Sequence, residues 1–228
     1  MENDMIDKTD ILARGLAECS IPQERIDSLA QKMESYISEI VLFNSAYNLT
    51  NTSEHDALVT RHILDSLAAY KEIREYADCF GPSCVIADIG SGGGLPGIPL
   101  AAAFLDDSGV RFELIERMEK RCAFLENCAA ILGLGNVVVR KTDAQKIPAK
   151  SYDLVTFRAF RPLDENMARV LLGIVRDGGI LCAYKARPEN IRAEMSAIKN
   201  LVPEYEVVPL AVPGLEDSQR NLVVIKKQ

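Results

Sequence analysis

Ten consecutive residues carry the strongest chemical signal in this chain: Asp88-Ile-Gly90-Ser-Gly92-Gly93-Gly94-Leu95-Pro96-Gly97. Glycines let a backbone approach a ligand closely and take conformations that other residues resist. An acidic residue ahead of them and a proline behind them frame a loop built to hold something. A second acid, Glu116, ends the next apolar run, where it can accept hydrogen bonds from ribose hydroxyls.

Two ligands compete for this loop. From Gly92 it contains G-x-G-x-x-G, the dinucleotide fingerprint. From Asp88 it contains D-x-G-x-G-x-G, the pattern of S-adenosylmethionine-dependent methyltransferases. The dinucleotide reading expects the first glycine directly behind the strand, yet Gly90 stands there, and position 95 is Leu. An acid before the loop also suits a cationic methionine head better than a pyrophosphate. The methyl-donor reading is therefore preferred. Asp143-Ala144, after a third apolar run, falls where such folds contact adenine, although by spacing alone Asp143 reads as a turn or helix N-cap.

The segment Tyr152–Pro162 is the usual place for acceptor chemistry in this fold. It lacks an Asn-Pro-Pro-Tyr motif for exocyclic amines, and no proline precedes any cysteine, as pyrimidine C5 chemistry often requires. It offers Arg158 and Arg161 instead. Arginine is no base at neutral pH, but it holds a carboxylate, a phosphate or the O6/N7 edge of guanine. An acceptor such as guanine N7 already has a lone pair and needs only alignment with the methyl group. Asp153 reads as structural.

The positioning elements follow from hydrophobic periodicity. Leu29, Met33, Tyr36, Ile37 and Ile40 recur at helical steps after Pro22, and a second helical run starts at Glu54. Between them, Tyr47–Thr52 is a polar interruption supplying N-cap residues for the second helix. From Cys84 onward, strands at Cys84–Ile89, Val110–Ile115, Val137–Arg140, Tyr152–Phe157 and Ile180–Tyr184 alternate with helices at Pro96–Leu105 and Arg117–Leu132 and with further helices or loops. That rhythm implies right-handed βαβ units and a parallel sheet. Tyr205–Val208 and Leu222–Lys226 read as an antiparallel pair at one edge. The expected architecture is a Rossmann-like α/β methyltransferase sheet over 81–228 with an N-terminal helical lobe over 1–80.

Composition limits the rest. The chain has 228 residues, 26 Lys+Arg against 33 Asp+Glu, and a net charge of −7. Residues 1–80 hold 7 basic and 15 acidic residues, whereas 111–161 hold 10 basic and 6 acidic. A coat of positive charge is excluded, but a local basic surface on the α/β part is not. The six cysteines form no CxxC pair and neither histidine has metal-ligand spacing, so buried thiols and no metal are expected. No signal peptide or membrane-spanning run is visible, which implies a cytoplasmic protein.

Several further segments are distinctive: Phe43-Asn44-Ser-Ala-Tyr47-Asn48-Leu49-Thr50, Arg61-His62-Ile-Leu-Asp65-Ser66-Leu67, Phe157-Arg158-Ala159-Phe160, Ala183-Tyr184-Lys185 and Arg220-Asn-Leu222-Val-Val-Ile-Lys226-Lys227. With the Gly-Leu-Pro-Gly of the loop, they make the chain resemble the bacterial RsmG (glucose-inhibited division protein B) methyltransferases from about residue 40 to its end. It departs from their usual pattern at Phe43, Ala186 and Asn221. The resemblance implies methyl transfer from S-adenosylmethionine to guanine N7 in the 530 loop of small-subunit (16S) ribosomal RNA, by a monomer without metal. It implies cofactor contacts at Gly90, Leu95, Asp143, Ala144, Arg158 and Glu116. Asn48, His62, Asp65 and Lys185 become acceptor-side candidates. Plainer readings are a core histidine at 62, a cap or buttress at Asn48, a surface lysine at 185 and a solvated face at Arg117, Lys120 and Arg121. Two rival functions remain at this point: a nicotinamide-dinucleotide oxidoreductase and a cofactor-binding RNA-interaction module without catalysis.

Overall fold

Each central strand is apolar on both faces, so each must be covered on both. The computed structural model describes residues 11–81, 83–158 and 163–228, and Arg161 with Ala159 and Phe160 lies outside them. The sheet runs β3 (Val137–Lys141), β2 (Arg111–Glu116), β1 (Val85–Ile89), β4 (Tyr152–Arg158), β5 (Val175–Lys185), β7 (Asn221–Lys226) and β6 (Glu206–Pro209), in that spatial order. β1 to β5 pair in parallel, while β7 is antiparallel to β5 and β6. This is a Rossmann-like α/β fold with the expected antiparallel pair at one edge. After β3 the chain returns to the far side of β1, opening a crevice at the carboxyl ends of β1 and β4.

Strand alternation sorts side chains into two cores. Ile86, Leu114, Leu154 and Tyr184 face a core shared with the helices that precede β1 and with α6 and α7. Ala87, Ile89, Val155 and Ala183 face the core under the two helices nearest the C-terminus. Here α1 covers 11–18, α2 Ile26–Tyr47, α3 His55–Leu58, α4 Asp65–Leu67, α5 Tyr70–Cys79, α6 Gly97–Ala103 and α7 Glu119–Ile131. The last two are α8 (Glu165–Ile174), N-capped by Asp164, and α9 (Pro188–Ala197). Leu12, Met33, Ile63 and Ile73 of the N-terminal helices thus share one hydrophobic cluster with the sheet.

Two boundaries differ from those read off the sequence. β5 starts at Val175 rather than Ile180, and its pairing skips from Tyr152↔Val175 to Leu154↔Ile180. The Arg176–Gly179 excursion, with Gly178 at φ 75°, breaks the apolar run and hid its start. In the polar interruption, Glu54 is the N-cap, accepting from the Asp56 and Ala57 amides, and no residue of Tyr47–Thr52 caps the second helix. Between α3 and α4, Val59–Leu64 is π-helical, a local widening common at functional sites.

Of the cysteines, 19, 84, 122, 128 and 182 are buried and Cys79 is exposed, all as free thiols. Burial pushes the Cys19 and Cys84 thiols up to about 12, so both stay protonated and unreactive at neutral pH.

Candidate active site

The glycine loop is tied down from below. The Gly90 and Ser91 amides both donate to the Ile115 carbonyl, at 2.9 and 3.1 Å, fastening the loop to β2. Gly90, Gly92 and Gly94 take φ of 70°, 56° and 91°, where glycine avoids steric cost. The Tyr36 hydroxyl of α2 donates to the Gly93 carbonyl.

Asp88 does not reach into the crevice. It is 1% exposed, and its Oδ2 accepts from the Gly97 amide at 3.1 Å. It holds the loop to the start of α6, so the expected match between this acid and a cationic methionine head is corrected. Burial pushes its carboxyl up to about 6. Asp153 is structural as expected, accepting from the Val85 amide and pairing with Arg176.

Two cavities meet at Gly90 and Arg121. The smaller, about 230 Å³, is lined by Glu116, Asp143 and Ala144 among others. Asp143 Oδ1 also accepts from the Gln145 amide as the N-cap of a short 3-10 turn, the turn reading of that residue, while the residue lines the smaller cavity. Glu116 Oε1 accepts from the Arg117 and Met118 amides, and Oε2 accepts from Gly92 at 3.0 Å. A carboxylate oxygen offers about two lone-pair positions. One position on Oε2 is therefore left open beside the smaller cavity. Replacing Glu116 by Gln removes the carboxylate charge and unsettles the Gly92 amide. We expect S-adenosylmethionine to bind about 10-fold or more weakly to Glu116→Gln, as calorimetry would measure.

The larger cavity, about 740 Å³, is lined by Leu95, His62, Asp65, Arg158, Lys185 and Arg220, among others. Arg158 Nη1 donates to Asp65 Oδ2 at 2.7 Å, and Arg220 Nε donates to Asp65 Oδ1 at 2.8 Å. One carboxylate thus holds two guanidiniums side by side. Lys185 pairs with Glu194 at 2.6 Å and lies over the Phe157 ring, with a side chain only 15% exposed. It is no free surface lysine.

Arg158 Nη2 lies 3.4 Å from His62 Nδ1. Arginine only donates, so Nδ1 accepts and the ring proton sits on Nε2, which has no partner among the described residues. Burial, and next the Arg158 charge, lower the His62 pKa to about 4. The unfolded chain therefore binds the proton more readily, and this contribution to stability is lost as pH falls from about 6.5 towards 4. Asp88, with its raised pKa, acts in the opposite sense between about 4 and 6. Chemical denaturation across that range should show His62→Gln losing less stability on acidification than the parent.

Asn48 is the one acceptor-side candidate outside this cluster. It is exposed at φ 51° as the C-cap of α2, and the cavity is lined by Leu49, Thr50 and Asn51 instead. The residue reads as conspicuous because it ends a helix. Asn221 and Ala186, two positions of departure from the family pattern, meet: the Asn221 side-chain Nδ2 donates to the Ala186 carbonyl at 2.6 Å. Sequence reasoning gave Arg220 no site role, and for Arg121 it set RNA contact below a solvated helix face, whereas Arg121 lines both cavities and Arg220 the larger one. Arg220 stood in a distinctive segment, and Arg121 lies one helical turn into the helix that follows Glu116.

This geometry coincides with relatedness. Residues 29–223 match the GidB family, described as rRNA small subunit methyltransferase G. The chain belongs to that family. A protein called ribosomal RNA small subunit methyltransferase G from Treponema denticola is 36% identical over 239 residues, covering 95% of this chain and 94% of its own. One of the same name from Borreliella burgdorferi is 36% identical over 197 residues, 86% of this chain and 89% of its own. A SAM dependent methyltransferase from Aquifex aeolicus shares the fold with a TM-score of 0.50 at 16% identity, over 68% of this chain and 88% of that one. GidB membership leaves the nicotinamide reading without support. Among the described residues, no helix is long and apolar enough to cross a membrane.

Proposed function

We propose that this chain transfers the methyl group of S-adenosylmethionine to guanine N7 in the 530 loop of small-subunit ribosomal RNA, acting as a cytoplasmic monomer without a metal. The observation that carries the reading is the pair of cavities joined at Gly90, one edged by a ribose-type acid and the other by clustered cations. GidB membership supports it.

The residues present fit the cofactor. Glu116 keeps one acceptor position for a ribose hydroxyl. Ala144 is small and buried beside that cavity, which leaves room for a flat adenine. At Gly92 even an added Cβ would meet only ordinary contacts, so the loop leaves space above it. When bound, the cofactor supplies an electrophilic methyl on sulfur.

The chain's own groups then have a positioning task. Glu116, Asp143 and Ala144 would hold the adenosine end of the cofactor, and Gly90, Leu95 and Arg158 its methionine end. Arg158, fixed by Asp65, presents its remaining N–H groups to an anion or a guanine edge. Among the described residues lining the larger cavity no free base stands ready: arginine does not deprotonate there, Asp65, Lys185 and Glu194 are held in ion pairs, and His62 has a conjugate-acid pKa of about 4. Guanine N7 requires none, because its lone pair attacks directly, and alignment with electrostatics supplies the rate.

The test is transfer of labelled methyl from S-adenosylmethionine to small-subunit RNA and to subunit particles, both prepared without the modification. Label in either supports the reading. Tight cofactor binding with no transfer to either would favour the non-catalytic RNA-interaction module.

A further inference from the structure

The cations of the larger cavity are unequal. Arg158 and Arg220 share Asp65, and Lys185 has Glu194. Arg121 has no carboxylate partner among the described residues; its one hydrogen bond runs from Nη2 to the Asn48 carbonyl at 3.1 Å. Its Nε is buried without a partner, and its side chain is half-buried. A guanidinium partly withdrawn from water and left without an anion is costly unless a ligand supplies one.

Its place says which ligand. Arg121 lines both cavities, at the boundary between the adenosine end and the end that holds Arg158. A cofactor whose adenosine end were held by Glu116 and Asp143 would bring its sulfonium towards Gly90 and Arg121, and a sulfonium gains nothing from a neighbouring cation. The cofactor carboxylate would be held farther along, by Arg158. The anion that must come to the boundary is carried by the acceptor strand, whose base approaches the methyl group. The Asn48 bond fixes the guanidinium against the turn that leads into Leu49, and Leu49 in turn sits on the glycine loop, its carbonyl 3.2 Å from where a Cβ on Gly93 would stand.

We propose that Arg121 binds the backbone phosphate beside the target nucleotide and so seats the acceptor base over the methyl group. This rests on the rRNA methyltransferase reading above. α7 packs through Cys122, Phe124, Leu125 and Cys128, so removing the Arg121 charge leaves its core contacts in place.

For Arg121→Gln, the RNA KM rises about 10-fold and the plot of log KM against log salt becomes shallower by roughly one phosphate contact. The dissociation constant of S-adenosylmethionine stays within about twofold. As a second measurement on the unaltered protein, RNA carrying a neutral methylphosphonate beside the target guanosine should raise KM to a similar extent, and the change should not compound with Arg121→Gln. An unchanged salt slope, or a methylphosphonate without effect, overturns the assignment, as does a variant that loses cofactor affinity while its RNA KM is unmoved. Methyl transfer by the parent protein tests the underlying activity separately, so either conclusion can fail alone.

Discussion

Arg158→Ala is expected to lower kcat/KM for methyl transfer about 100-fold or more while the protein stays folded. The side chain is 14% exposed and emerges from the end of β4, directly beside the crevice. Its loss removes a fixed donor from the crevice, and one preorganised donor in an active site is typically worth about 10²–10³ in rate. The fold should survive because Asp65 keeps Arg220 at 2.8 Å, so the carboxylate is not stranded. Losing one charge-assisted hydrogen bond costs about 1–3 kcal/mol of stability. Arg158→Lys keeps the charge without the planar fork and should recover only part of the rate. Kinetics alongside thermal unfolding would check this. Parental turnover in a folded Arg158→Ala protein would remove the residue from the site.

Gly94→Ala is expected to have the largest effect on the fold itself. Gly94 sits at φ 91°, and a Cβ there would stand 2.6 Å from Ile98 Cγ1, 2.9 Å from the Tyr36 hydroxyl and 3.0 Å from Leu125 Cδ2. Backbone strain and overpacking together cost about 2–5 kcal/mol. α2, α6 and α7 meet at this point, so the glycine loop should also shift and cofactor binding be lost. Gly92→Ala is the contrast. It shares a positive φ of 56°, but its Cβ would meet atoms only at 3.7 and 3.8 Å. Strain alone, about 1–2 kcal/mol, is expected there. Denaturant melts of the two variants separate packing from backbone strain.

The contrast shows what a sequence of this kind makes legible. β1 to β4 could be placed because short apolar runs bounded by glycine or polar turns admit few other readings. The placement of Glu116 and Asp143-Ala144 beside one cavity followed, since both stand at strand ends. The start of β5 was hidden, because Gly178 and Gly179 interrupt the very periodicity that reveals a strand. Asn48 could be read two ways for a different reason: it is set by backbone conformation as a helix C-cap, and a residue type alone does not tell a helix cap from a ligand contact. The charge pairing was illegible in principle. Asp65 and Arg220 are separated by 155 positions, and only the tertiary fold makes one carboxylate serve two arginines. Equally unreadable was that Arg121, half-buried, has no carboxylate partner among the described residues.

The net charge of −7 fits this picture. Acidic helices stand before β1, and the site's exposed cations, such as Arg61, Arg117, Lys141 and Lys146, gather near the carboxyl ends of the strands. Such a balance gives weak, salt-sensitive affinity for RNA in general, and a structured target must supply the rest.

The most direct test is to locate the methyl group. Small-subunit RNA or particles lacking the modification would be incubated with the protein and S-adenosylmethionine, then cleaved chemically at N7-methylguanosine and the fragments mapped. A single new cleavage at a guanosine of the 530 loop is the expected result. Methylation at another atom or another region, or none despite bound cofactor, would contradict the account.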